Sequence, residues 1–224
     1  MKSMKINEAF VIVFVTVLCM SCGGIPDTKK GDMHLRPSIP YMNSFLVVPE
    51  NEDKKINTGF WGIGIGLDYY HSDNQFLNLE ASGAIDFFLP IPAAVDPSFE
   101  DGAEDRSLGS VHFTLSNNHK VKKFSFGYGI AYAIYFSNYS YYNYSETSEL
   151  PPTYHLNTNH GAFGLIFPNY FFFTKNIGVG VVYRPTFFRP TLSDKFKYEH
   201  LISVEFATKI PFYSADKRRF FKWN

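Results

Sequence analysis

The chain has 224 residues with 21 Lys+Arg and 21 Asp+Glu, so its formal charge is zero, which argues against a nucleic-acid binder with its basic surplus. Hydrophobic residues make up 45% and charged residues 19%, which excludes wholesale disorder. The 24 Phe and 15 Tyr, with 16 Gly and only 2 Trp, point to a strand-rich protein with a wide apolar surface.

Lys2 and Lys5 give a basic start, weakened by Glu8, and residues 9–19 (AFVIVFVTVLC) follow as an apolar run. That run fits the core of a signal peptide and is too short to span a bilayer as a helix. Residues 1–21 therefore predict an export signal. The small residues Ser21, Gly23 and Gly24 surround Cys22, and the stretch LCMSCGG resembles the lipobox of bacterial lipoproteins. The resemblance implies lipidation at Cys22. It departs from the family at Cys19, where Leu is usual and where this chain has its Leu one place earlier, at Leu18. The alternative is an ordinary cleaved signal with an incidental cysteine. Cys19 and Cys22 are the only cysteines, so a processed chain has no disulfide, zinc cluster or redox pair to build. Residues 22–40, rich in Gly, Pro, Asp and Lys without periodicity, read as a lipid-anchored tether.

From residue 41 a period of two recurs and helical patterning does not. Residues 41–48 form a first strand. In residues 58–70, Trp61, Ile63, Ile65, Leu67 and Tyr69 share one face and Gly62, Gly64, Gly66 and Asp68 the other. Residues 76–89, 109–116 and 124–137 alternate in the same way. Residues 161–173 are strand-like with less clean faces, and Pro168 there predicts a bulge or an edge irregularity. Residues 177–187 and 200–210 complete a set of eight. Connectors alternate as well: 71–75, 117–123 and 174–176 are short, whereas 49–57, 90–107, 137–160 and 190–197 are long. The fold class predicted is all-β, an eight-stranded antiparallel up-and-down barrel with short turns at one end, long loops at the other, and both chain ends on the short-turn side.

The apolar faces carry Phe, Tyr, Ile, Val and Trp. The opposite faces carry Gly, Ala and Ser with scattered Asp68, Glu80, Asp86, Arg184, Glu205 and Lys209. A solvated outer face seldom carries so many strand-weakening glycines, whereas a narrow lumen uses them to make room for long charged side chains that pair. These six charges are therefore predicted to form a lumen network, with the large residues turned to lipid. On these features residues 41–212 resemble the small eight-stranded outer-membrane β-barrel proteins of Gram-negative bacteria. The resemblance implies a barrel placed across the cell outer membrane. Two features depart from that family: the N-terminal lipid, and a basic aromatic tail over residues 213–224 (YSADKRRFFKWN) where an aromatic strand end is usual.

Chemistry has little footing. His112, Thr114 and Ser116 share one strand face, and His112 with Thr114 is faintly similar to the His and Ser of outer-membrane lipid A deacylases. Thr replaces Ser, however, and the facing turns the pair to the lumen, so a hydrogen-bonded interior histidine is the preferred reading. His200 reads as a strand-end residue near the interface. The seven His lack ligand spacing, so no metal is predicted; GIGIG and GYG lack the strand-to-helix setting of a phosphate loop, so no cofactor is predicted either. Tyr139, Tyr141, Tyr142 and Tyr144, interleaved with Ser and Asn, resemble adaptable binding surfaces, and the loop at 90–107 is acidic. The function predicted is a non-enzymatic structural, adhesive or surface-binding role, with outer-membrane lipid around the barrel and a glycan or protein on its loops. Two alternatives stand beside it: a lipid-anchored soluble barrel binding an apolar ligand, and an outer-membrane lipid-modifying hydrolase.

Overall fold

A computed structural model of the protein describes residues 28–50, 53–86, 103–142, 153–215 and 219–220. The export signal, Cys22 and the start of the tether (22–27) lie outside the described residues, as do Tyr144 and most of the acidic loop. The strands are β1 (Met33–Val47), β2 (Lys55–Phe60), β3 (Gly62–Ser72), β4 (Gln75–Ile85), β5 (Ala103–Val121), β6 (Phe124–Tyr142), β7 (Thr153–Phe172), β8 (Ile177–Phe188), β9 (Phe196–Thr208), β10 (Ile210–Ser214) and β11 (Arg219–Phe220). Each pairs antiparallel with its neighbours, and β1 pairs with β2 and β3 on one side and with β9 and β10 on the other. The sheet therefore closes. Because β2 with β3, and β9 with β10, are single strands interrupted by one residue, the ring contains eight strands, in the order predicted.

Side chains alternate across the wall with polar groups inside. Ile63, Ile65, Leu79, Phe113, Tyr128 and Ile130 are exposed outward, whereas His34, Arg36, Asp68, Glu80, His112, Arg184 and Glu205 are buried. Two apolar clusters cap this polar middle. Phe45, Val47, Leu108, Tyr135 and Leu201 lie toward the long loops, and Ile166, Tyr170, Phe172 and Val182 toward the short turns. Glycine makes room for the polar residues between them. A Cβ on Gly66 would stand 2.7 Å from the Asn78 amide nitrogen and 3.6 Å from Arg36 Nε.

A paired irregularity keeps the facing correct. Trp61 separates β2 from β3 with φ 92°, an uncommon conformation for a residue other than glycine. Opposite it, β1 carries a bulge between Pro40 and Met42. Inward positions are even-numbered below both breaks (Arg36 and Ser38; Gly66 and Asp68) and odd-numbered above them (Asn43 and Phe45; Gly59). One extra residue in a strand exchanges its two faces. Two bulges side by side make both strands exchange together, so neither turns a polar face to the outside. The Trp61 carbonyl accepts hydrogen bonds from Asn43 Nδ2 (3.1 Å) and the Ile85 amide (3.1 Å), so the break leaves its backbone satisfied.

Several sequence boundaries need correction: 103–107 and 117–121, read as connector, belong to β5, and three more bear on the limits of the barrel. The barrel begins at Met33, so 33–40, read as tether, is the first half of β1. Its prolines disguise a regular alternation of Leu35, Pro37 and Ile39 with His34, Arg36 and Ser38. Pro37 is tolerated because the ladder toward β9 and β10 skips Arg36 and Pro37, opposite Thr208 and Lys209. Second, much of the connector at 137–160 is strand: β6 continues to Tyr142 and β7 begins at Thr153. With β5 they extend about 20 Å past the level of Gly109, at roughly 3.3 Å per residue. Third, the tail is not free from residue 213, since β10 runs to Ser214 and β11 pairs back on it. At Pro168 no register shift occurs, but the β6–β7 ladder lacks pairs at Gly127 and Tyr128, opposite Pro168 and Phe167.

Gly66→Val should cost about 1–3 kcal/mol, because its branches would strike Asn78 and the Arg36 guanidinium in a closed lumen. Gly83→Ala, whose Cβ would meet nothing nearer than 3.7 Å, should be neutral. Unfolding in denaturant after refolding into detergent measures both, and equal stability of the two variants would contradict this account of the lumen.

Candidate functional site

The charged middle of the lumen is built from inward positions on five strands and the β9–β10 break. Arg184 on β8 places Nη2 at 3.0 Å from Glu80 Oε1 on β4 and at 2.8 Å from Glu205 Oε1 on β9. Strands β4 and β8 lie opposite each other in the ring, so this guanidinium spans the barrel. Arg36 on β1 donates to Glu80 Oε2 at 2.8 Å, lies 3.8 Å from Asp68 on β3, and stacks 5.1 Å above the Tyr170 ring. Tyr170 donates its hydroxyl to Glu205 at 2.7 Å. Lys209, at the β9–β10 break, is 3.7 Å from Asp68, donates to the Tyr70 hydroxyl at 2.9 Å, and rests over Phe76 and Phe172 at 4.4 and 4.5 Å. Three cations and three carboxylates thus alternate through the lumen, as Lys209, Asp68, Arg36, Glu80, Arg184 and Glu205. Buried charges of either sign survive when each has a partner, and here the signs balance.

Of the six lumen residues named from the sequence, five belong to this chain. The sixth, Asp86, is buried near the long-loop mouth, where its carboxylate accepts from Asn57. Sequence reasoning missed Arg36, which it placed in the tether, and a second cluster around Glu199. The Glu199 carboxylate accepts from the Val48 amide (2.8 Å), His160 Nε2 (2.9 Å) and Arg189 Nη1 (3.4 Å). Arg189 also donates to the Val48 carbonyl and to the Asp194 carbonyl (3.0 Å). This cluster fastens the 48–50 and 189–195 connectors to β7 and β9. Outside it, Lys197 at 2.8 Å holds the exposed Asp194 carboxyl below its usual range. The signal for Glu199 was available, because Glu199, Leu201, Ser203 and Glu205 continue one alternation.

The His112 constellation is not arranged for catalysis. His112 Nε2 is 3.0 Å from Ser110 Oγ, not paired with Thr114, and the ring meets Tyr135 edge-on at 5.8 Å. Thr114 Oγ1 has no partner among the described residues, and Ser116 Oγ accepts from Asn118 at 2.9 Å. All three are buried behind the wall. His200 points outward, its Nδ1 2.9 Å from the Tyr198 hydroxyl, which bonds Tyr183 at 2.6 Å. Tyr139, Tyr141 and Tyr142 lie on β6, paired with Leu156, Tyr154 and Thr153 of β7. Among the described residues no group of His, Cys, Asp or Glu is placed to hold a metal ion.

Together these features define a class: an eight-stranded meander barrel with a charged, filled lumen and an apolar exterior. No protein-family profile matches the chain, and no curated protein matches it by sequence. Among solved structures it is similar to Ail, the attachment invasion locus protein of Yersinia pestis, at 9% identity over 80% of this chain and 98% of that one, with TM-score 0.47. Neisserial surface protein A (NspA) is similar at 9% identity over 80% and 97%, with TM-score 0.44. Outer membrane protein OprG from Pseudomonas aeruginosa is similar at 11% identity over 84% and 99%, with TM-score 0.34. The fold of the present chain stands on its own closed strand pairing.

Arg184→Met removes one cation from between two buried carboxylates and should cost about 3–5 kcal/mol, read from unfolding of the refolded barrel. Adding Glu205→Gln should recover part of that loss. A single variant within about 0.5 kcal/mol of the parent would show that Arg184 does not hold the network together.

Proposed function

We propose that the chain is an exported protein of the cell outer membrane, lipid-anchored at Cys22, with a structural or adhesive role carried by its long-loop end. The observation that carries this reading is the inverted facing. A soluble barrel would expose Ile63, Leu79, Ile130 and their outward neighbours to water as one continuous apolar belt, far beyond the patches that soluble monomers tolerate. Lipid solvates such a belt, and closure of the strand ladder pairs most of the backbone groups within it. A lipocalin-like function would need an apolar interior, whereas the middle of this lumen is filled by paired charges. A lipid-modifying hydrolase would need His112 on the lipid side with an oriented hydroxyl, and it faces inward against Ser110.

In this reading the extension of β5, β6 and β7 stands clear of the membrane and carries Tyr139, Tyr141 and Tyr142, with Tyr144 in the connector beyond. Tyrosine gives a large contact area at a low entropy cost, which suits recognition of a glycan or protein.

An epitope inserted into residues 143–152 should be reachable by antibody on intact cells, and metabolic labelling with palmitate should mark the protein and be lost in Cys22→Ala. Replacing Tyr139, Tyr141, Tyr142 and Tyr144 by Ser should cut attachment of these cells to immobilised glycans or matrix proteins at least about fivefold, with the barrel intact. An epitope reached only after the cells are opened would contradict the orientation. Unchanged attachment would remove the tyrosines from the role.

A further inference from the structure

The short-turn mouth of the barrel holds a cavity of about 370 Å³ whose lining includes Lys120, Lys122, Lys123 and Lys175 and, among the described residues, no acidic one. The lysines come from the end of β5 and from the β5–β6 and β7–β8 turns, which are tied to each other by the Phe172 amide donating to the Lys123 carbonyl at 2.7 Å. The nearby acids among the described residues are turned to other work. Asp32 accepts from the Lys29 and Ala215 amides at 2.8 and 3.0 Å, Asp73 accepts from the Lys30 amide at 2.9 Å, and Asp68 faces Lys209 and Arg36. Two further residues shape this mouth. His34, on the cavity wall and only 5% exposed, keeps Nδ1 buried without a partner among the described residues. Lys122 is held at φ 55°, a left-handed conformation that Gly or Asn adopts at lower cost. The rim is also partly apolar: Phe172 is buried, and the adjacent Phe173 is 47% exposed.

We propose that this mouth binds the phosphate of an anionic glycerophospholipid from the adjoining leaflet. This rests on the membrane-spanning reading above. Convergent ammonium groups suit a phosphodiester, and lysines near an anionic surface each add to the attraction. The volume exceeds what a bare phosphate fills, and the exposed Phe173 offers the glycerol and upper acyl chain an apolar contact. Lys120, which donates to Thr28 Oγ1 at 3.2 Å, links the site to the start of the described chain.

The test uses the full-length protein in detergent micelles doped with phosphatidylglycerol or phosphatidylcholine, with retained lipid measured by native mass spectrometry. The parent should retain phosphatidylglycerol at least about tenfold over phosphatidylcholine, and Lys122→Gln/Lys123→Gln/Lys175→Gln should bring the two near parity. Lys122→Gly, which relieves the backbone, should keep the fold and lose part of the preference. Lys54→Gln/Lys195→Gln, at the opposite end, should change nothing. Parity in the parent, or a preference untouched by the triple variant, would overturn the site. Displacement of phosphatidylglycerol by millimolar inorganic phosphate would overturn the lipid source in favour of a soluble phosphate. Gel mobility before and after boiling, run on every variant, separates failure of this site from failure of the barrel to fold in micelles.

Discussion

Arg184 reaching across the lumen to Glu80 while it holds Glu205 beside it is the contact on which the rest of the interior depends. In a ring of eight strands the inward side chains meet at the centre, and there is little room for water to share the load. A lone carboxylate or guanidinium there would be costly, so every charge must find its opposite among residues far apart in sequence. Arg184 and Glu80 are 104 residues apart, yet the ring order puts their strands face to face. Arg36 and Tyr170 close the remaining sides of the two glutamates, and Lys209 with Asp68 continues the alternation toward the short turns.

The small residues, the bulges and the apolar exterior all serve that arrangement. Gly64 and Gly66 give up side chains where Ser38, Asn78 and Arg36 need the space. The matched breaks at Trp61 and between Pro40 and Met42 let β1 and its partner exchange faces together, so the charged set stays inside above and below. With the polar groups filling the middle of the lumen, the large apolar residues at that level, such as Ile63, Ile65, Leu79, Phe113 and Ile130, face outward. That face is stable where the surrounding solvent is hydrocarbon, which is why the interior geometry bears on location.

Much of this was legible in the sequence. A period of two with small residues opposite large ones identifies β3, β4 and the turn-side parts of β5 and β6 with their inward faces, because side-chain direction in a strand follows position alone. Connector lengths set the meander and the side on which the chain ends lie. Reading failed where composition hid the pattern. Two prolines made the first half of β1 look like tether and concealed Arg36, and the Tyr, Ser and Asn content of β6 beyond Phe136 looked like loop. Partnership was illegible for a different reason. Spacing placed Asp86 and Glu205 in one inward set, but only the ring order and height in the barrel assign Asp86 to Asn57 and Glu205 to Arg184 and Tyr170.

The central claim is that the apolar face is the outer one and that lipid is its solvent. The most direct measurement takes the chain from position 22 with Cys22→Ser, refolds it with and without detergent, and compares gel mobility before and after boiling. The account predicts a compact band that shifts on boiling and forms only with detergent. A folded, soluble monomer in plain buffer would contradict it, since the belt around Ile63, Leu79 and Ile130 would then have to be covered by protein rather than by lipid.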